Sequence, residues 1–167
     1  MKKVALIGMM GSGKSTIARL LSEKTGVPFR CTDEMVEHKM NTTISEIFET
    51  RGESYFRKVE KEVLFQLAEM DPVILSTGGG IVLDPENINH LKEKGFVIIY
   101  LNRSLERTKM NLKTENRPLL REDPNRVNKI YDERSTLYKT SCHVVINNDG
   151  TAESAAERLA KLLMEWR

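Results

Sequence analysis

Several things that would assign a chain quickly are missing from this one. Its 167 residues hold only two cysteines, Cys31 and Cys142. They lie far apart with no C-x-x-C spacing, which excludes a disulfide framework and a cysteine zinc site and points to the reduced cytoplasm. No charge of one sign dominates: 26 basic residues face 24 acidic ones. A net charge of +2 gives no reason to expect a nucleic-acid or membrane partner. No apolar run approaches the roughly 18 residues of a membrane span. The opening "MKKVALIGMMGSGKS" has lysines before an apolar run, as a signal peptide does, but glycines break the run and it reads as a first strand. There is no internal repeat, low-complexity tract or linker to divide the chain, and no long apolar stripe calling for a partner. A single soluble domain over residues 1–167, monomeric, is the expectation.

What is present alternates. The short apolar runs "KVALIG", "VPFR", "PVILST", "FVIIYL" and "HVVIN" are separated by longer segments of helical period. Strands alternating with helices predict an α/β fold with a parallel sheet covered on both faces. The punctuation supports the helices. One opens at Lys14 and stops at Gly26; "DPENINHLKEKG" has Asp84 as cap, Pro85 in the first turn and Gly95 at the end; "DPNRVNKIYDERSTLYK" is predicted to start in the same way at Asp123 and Pro124. The last helix begins near Thr151, with Ala155, Leu159, Leu162 and Leu163 on one side. The polar stretch "NLKTENRPLLRED" lacks periodicity and reads as a loop of the kind that closes over a site, a lid at about 112–123.

Between the first strand and first helix stands "GMMGSGKST". Gly8, Gly13, Lys14 and Ser15 satisfy G-x-x-x-x-G-K-[ST] at the junction its mechanism requires. Glycines let successive N–H groups converge on phosphate oxygens, and the helix N-terminus adds partial positive charge. Lys14 is predicted to reach the β- and γ-phosphates, and the Ser15 hydroxyl to ligate Mg2+. No guanine-reading N-K-x-D is visible, so a small metabolite or nucleotide kinase fits better than a GTPase.

The acceptor must be read elsewhere. Asp33 serves equally as a helix cap, Arg57 as the surface partner of Glu53 and Glu60, "GGG" as a tight turn and Arg134 as a solvated charge. Taken together, two arginines, one aspartate and a bare glycine turn are what a small polyhydroxylated acid needs. The order of "GMMGSGKST", "TDEMVEH", "SEIFETRGESYFR", "STGGG", "RPLL" and "ERSTLY" resembles the shikimate kinase family along nearly the whole chain.

That resemblance implies a nucleoside-monophosphate-kinase-like, three-layer P-loop fold with a five-stranded parallel sheet in the order 2-3-1-4-5. It implies transfer of the ATP γ-phosphate to the 3-hydroxyl of shikimate, with one Mg2+. Carried over by position, Asp33, Arg57, Gly79 and Arg134 bind shikimate within a region of about 32–60 and beyond. Gly11, Ser12, Gly13, Lys14, Ser15 and Thr16 bind ATP, and Arg117 of the lid approaches the phosphates. Asp33, Lys14 and Arg117 form the catalytic set. Two nearby arginines favour Asp33 as an orienting group with late proton transfer over a ground-state base. One position departs: the family's D-T-D is Cys31-Thr32-Asp33 here, and a neutral thiol is a poor partner for hard Mg2+. Arg107, Lys109 and Lys113 give no clean adenine ligand, and "NNDGT" is either an adenine wrap or ordinary turn chemistry. Gluconate or a nucleoside monophosphate remains an alternative acceptor, and an ATP-binding homologue without catalysis an alternative of another class.

Overall fold

The structure, a computed structural model, describes residues 3–112, 123 and 125–166. Five strands, β1 (Val4–Ile7), β2 (Phe29–Cys31), β3 (Ile74–Ser76), β4 (Val97–Asn102) and β5 (Val144–Asn147), pair in parallel in the order β2-β3-β1-β4-β5. The central strand β1 sets Val4 beside Ile74 on one flank and Val97 on the other. All four of its residues are buried, as expected for a parallel strand with both faces covered.

The period-two alternation along the strands separates two cores. Ala5, Ile7, Leu75, Ile98 and Tyr100 face one layer, where Val36, Ile47, Phe56, Leu64, Ile88 and Ile130 supply the helical side. Val4, Leu6, Ile74, Val97 and Ile99 face the other, against Ile17 and Leu21 and against Ala155, Leu159 and Leu163. The second layer is the packed pair α1 (Lys14–Thr25) and α8 (Ala152–Glu165). The first contains α2 (Thr32–Met40), α3 (Ile44–Arg51), α4 (Glu53–Ala68), α5 (Pro85–Glu93) and α7 (Arg126–Ser141); a short α6 (Leu105–Met110) follows β4.

Helix ends follow the local chemistry. Gly26 closes α1 in the left-handed region at φ 72°, and the Asp84 carboxylate accepts from the Glu86 N–H at 3.0 Å to start α5. Two boundaries differ from the sequence reading. Helix α7 begins at Arg126 rather than at Asp123 and Pro124: the Asp123 carboxylate accepts from the Asn125 N–H at 2.9 Å, closing a local turn that competes with the helix. Helix α2 begins at Thr32 with Cys31 in the cap position, so Asp33 lies inside the first turn and is not the cap. Its carboxylate lies beside the Gly78 backbone.

Candidate active site

The loop from Gly8 to Gly13 joins β1 to α1. Gly13 has φ 92°, and a Cβ there would sit 2.9 Å from the Asn148 side-chain nitrogen, so both backbone and neighbour demand glycine. That nitrogen donates to the Ser12 carbonyl at 2.7 Å, tying "NNDGT" to the phosphate loop, while the Asp149 carboxylate accepts from the Ser104 N–H at 2.9 Å. In this structure the segment is a brace for the loop.

Lys14 is buried, and its Nζ donates to the carbonyls of Gly8 and Met9, both at 2.8 Å. Ser12 is buried within the loop. A cavity of about 430 Å³ opens beside it, lined by Gly11, Gly13, Lys14, Ser15 and Thr16 on one side and by Cys31, Asp33, Ser76 and Gly79 on the other. The Ser15 hydroxyl lies 2.9 Å from the Ser76 hydroxyl and 3.7 Å from Cys31 Sγ. Hydroxyl and carboxylate oxygens suit a hard divalent cation, and the thiol is the discordant donor. Among the described residues no cluster of three or more His, Cys, Asp or Glu forms a cage. An ion here would need phosphate oxygens and water to complete its coordination, as Mg2+ commonly does.

A second cavity of about 460 Å³ adjoins the first, lined by Asp33, Arg57, Glu60, Gly78, Gly79, Gly80 and Arg134 among others. Asp33 and Gly79 belong to both cavities. Thus Asp33, Arg57, Gly79 and Arg134, far apart in the chain, line one space. Arg134 is only 4% exposed, far from the solvated charge its helix suggests.

The bare turn exists because of what it touches. A Cβ on Gly78 would fall 2.3 Å from Glu60 Oε1 and 2.9 Å from Asp33 Oδ1; one on Gly80 would fall 2.3–2.4 Å from the Arg57 guanidinium. Neither position needs a left-handed backbone, so close approach alone selects glycine there.

Glu60 is the site residue that the sequence reading missed. Spaced three after Arg57, it resembles a surface ion-pair partner, yet it is 1% exposed and holds Arg57 Nη1 at 2.9 Å, with Glu53 on Nη2 at 3.3 Å. Burial pushes the Glu60 carboxyl up, and the neighbouring Asp33 charge adds to this; Arg57 and Arg134 oppose it. Burial likewise works against the Arg57 cation, but Glu60 and Glu53 more than offset it and its pKa is raised. The only hint in the sequence was the position itself: a helix whose Phe56, Val59 and Val63 face the core carries Glu60 inward with them. Arg117 and nearly all of the lid lie outside the described residues, as does Lys113; Arg107 and Lys109 are exposed on α6.

A phosphate loop at the C-terminal edge of a parallel sheet, opening onto a cavity with two arginines and an aspartate, defines a small P-loop phosphotransferase. A sequence model of the family described as "Shikimate kinase" matches residues 10–164. Among curated relatives, the shikimate kinase of Clostridium botulinum (strain Alaska E43) is 39% identical, the match covering 97% of each chain. That of Caldicellulosiruptor saccharolyticus is 41% identical over 98% of this chain and 96% of the relative. The solved shikimate kinase from Acinetobacter baumannii, in complex with shikimate, superposes with a TM-score of 0.93 at 34% identity, covering 99% of this chain and 94% of that one. The chain belongs to the shikimate kinase family, and is an ATP-using phosphotransferase.

Proposed function

We propose that this chain transfers the γ-phosphate of ATP to the 3-hydroxyl of shikimate, giving shikimate 3-phosphate and ADP on the route to chorismate and the aromatic amino acids. The observation that carries the reading is the sharing of Asp33 and Gly79 between the two cavities. An acceptor seated on the arginines then presents its hydroxyl to the end of a triphosphate on the loop.

In this reading Arg57 and Arg134 clamp the shikimate carboxylate as guanidinium forks, and the buried Glu60 keeps the Arg57 fork aimed. Asp33 accepts a hydrogen bond from the reacting hydroxyl, orients it in line, and takes its proton late in the transfer. Gly11 to Thr16 cradle the phosphates, and Lys14 spreads the charge that builds on the transferring group, with Arg117 as its partner from the lid. The Ser15 hydroxyl, beside that of Ser76, would hold one Mg2+ with ATP as co-substrate. That ion, when bound, neutralises charge on the β- and γ-phosphates. Closure of the lid at about 112–123 over the substrate region at about 32–60 excludes water and suppresses ATP hydrolysis.

We read residues 1–167 as one monomeric domain working in the cytoplasm, with neither nucleic acid nor membrane as partner. No helix among the described residues is long and apolar enough to cross a membrane. The test is ADP release with Mg·ATP and shikimate, run beside gluconate, AMP and no acceptor. Release with shikimate alone is the expected result; release with AMP or gluconate instead overturns the assignment. Near-normal turnover by Asp33→Asn at saturating shikimate removes both roles given to that carboxylate.

A further inference from the structure

Tyr138 sits on α7 one turn beyond Arg134 and is fully buried. Its hydroxyl donates to the Gly79 carbonyl at 2.5 Å and lies 3.9 Å from the Met9 sulfur in the phosphate loop. One proton serves one acceptor well, and the short contact identifies Gly79. The ring stacks on Tyr100 of β4 with centroids 5.1 Å apart and planes 25° apart, which holds the phenol in place. Burial pushes its pKa up to about 12, opposed by the Arg134 charge and by a hydrogen bond from the Arg134 guanidinium to the phenol oxygen, so the hydroxyl keeps its proton at neutral pH.

Gly79 is wedged between the two halves of the site. A Cβ on it would lie 3.4 Å from the Met10 nitrogen, 3.6 Å from the Gly8 carbonyl oxygen and 3.7 Å from Arg134 Nη1. Three consecutive glycines have no side chains to limit their dihedrals, so the aim of their N–H groups must be set from outside. The Thr32 hydroxyl holds the Gly78 N–H at 2.9 Å, and the hydrogen bond from Tyr138 holds the Gly79 carbonyl, which fixes the peptide plane that carries the Gly80 N–H. We infer that Tyr138 is a positioning residue: through Gly79 it fixes the glycine turn and couples the acceptor cavity to the nucleotide loop. The inference rests on the reading of the acceptor cavity as the shikimate site.

Tyr138→Phe removes one oxygen and leaves the stacked ring. Calorimetric titration of the variant with shikimate should show binding weaker by roughly three- to tenfold, the size of one ordinary buried hydrogen bond. ADP binding alone should change by less than about twofold, because the bond acts on the turn and not on the loop's own N–H groups. The ratio of shikimate affinities with and without ADP should move toward one, which is the signature of lost coupling. A lower melting temperature with both affinities and their ratio intact shows a merely structural tyrosine and overturns the inference.

Wild-type protein supplies a second measurement if the variant folds poorly. The Tyr138 hydroxyl proton should exchange slowly with solvent and its resonance should move on addition of shikimate and, separately, of ADP. Exchange at the solvent rate, or a resonance indifferent to both ligands, refutes the coupling. Should wild-type protein bind no shikimate at all, the reading of the cavity is what has failed, and this inference falls with it.

Discussion

Replacing Gly80 by alanine is a sharp probe of the acceptor site, since it adds one methyl group and changes no charge. The backbone there has φ −90° and ψ 6°, open to alanine, so the turn itself is not strained. The new Cβ would lie 2.3 Å from Arg57 Nη1 and 2.4 Å from Cζ and Nη2, so the fork must retreat by about 1 Å or more to reach ordinary contact. It cannot retreat freely, because Glu60 holds Nη1 at 2.9 Å and Glu53 holds Nη2 at 3.3 Å. Displacement therefore loosens the buried ion pair and misaligns the carboxylate clamp together. A charge-assisted hydrogen bond lost in this way is worth about 1.5–3 kcal/mol, or roughly 10- to 150-fold in affinity. Steady-state kinetics with shikimate varied at saturating Mg·ATP should show KM for shikimate raised in that range, while KM for ATP stays within about twofold because the phosphate loop is untouched. A shikimate KM within about threefold of wild type refutes the placement of Arg57 in the clamp, since the methyl group cannot be accommodated without moving it.

Cys31→Asp should lower the Mg2+ concentration that half-saturates turnover, because a carboxylate replaces a thiol 3.7 Å from the Ser15 hydroxyl; an unchanged Mg2+ titration shows that the thiol was no handicap. Glu60→Gln should separate stability from function. The Glu60 carboxyl is raised above its ordinary value of 4.5, so its favourable contribution is complete below that pH and is lost as pH climbs through the raised value. Wild-type protein should lose melting temperature relative to Glu60→Gln between acid and neutral pH, while the variant binds shikimate more weakly; parallel melting profiles contradict the assignment. Asn148→Ala removes the donor to the Ser12 carbonyl and should cost about 1–3 kcal/mol of unfolding free energy with a raised KM for ATP and little change for shikimate. An unaltered ATP KM refutes the bracing role.

The strands and the phosphate loop were legible because local rules and tertiary demand agree there. Val4–Ile7 is apolar throughout because both faces of β1 are covered, and Gly13 is glycine because its φ is positive. The gathering of Asp33, Arg57, Gly79 and Arg134 around one cavity was legible only in combination. Nothing local distinguishes Arg134 from a surface arginine, since its guanidinium is buried beside the distant Gly79 turn. Glu60 was hidden by the same spacing that makes helical ion pairs ordinary; only its shared face with Phe56 and Val63 marked it as inward. The start of α7 was misplaced because an aspartate-proline pair reads as a cap, whereas Asp123 spends its carboxylate on a turn two residues ahead of the helix. For Arg134 and Glu60 the missing information was what the residue would meet from another part of the chain; for Asp123 it was which of two local partners its carboxylate would take.

The brace between Asn148 and Ser12 spans 136 residues of sequence. A ribosome makes the phosphate loop well before its support, and β1 reaches its central place only when β3 and β4 arrive on either side. A nascent chain stalled before β5 therefore carries a complete nucleotide motif on an unfinished mount. Until Asn148 has emerged such a chain lacks the bond to the Ser12 carbonyl, so ATP stabilises it less as a folding ligand than it does a chain that has closed its sheet.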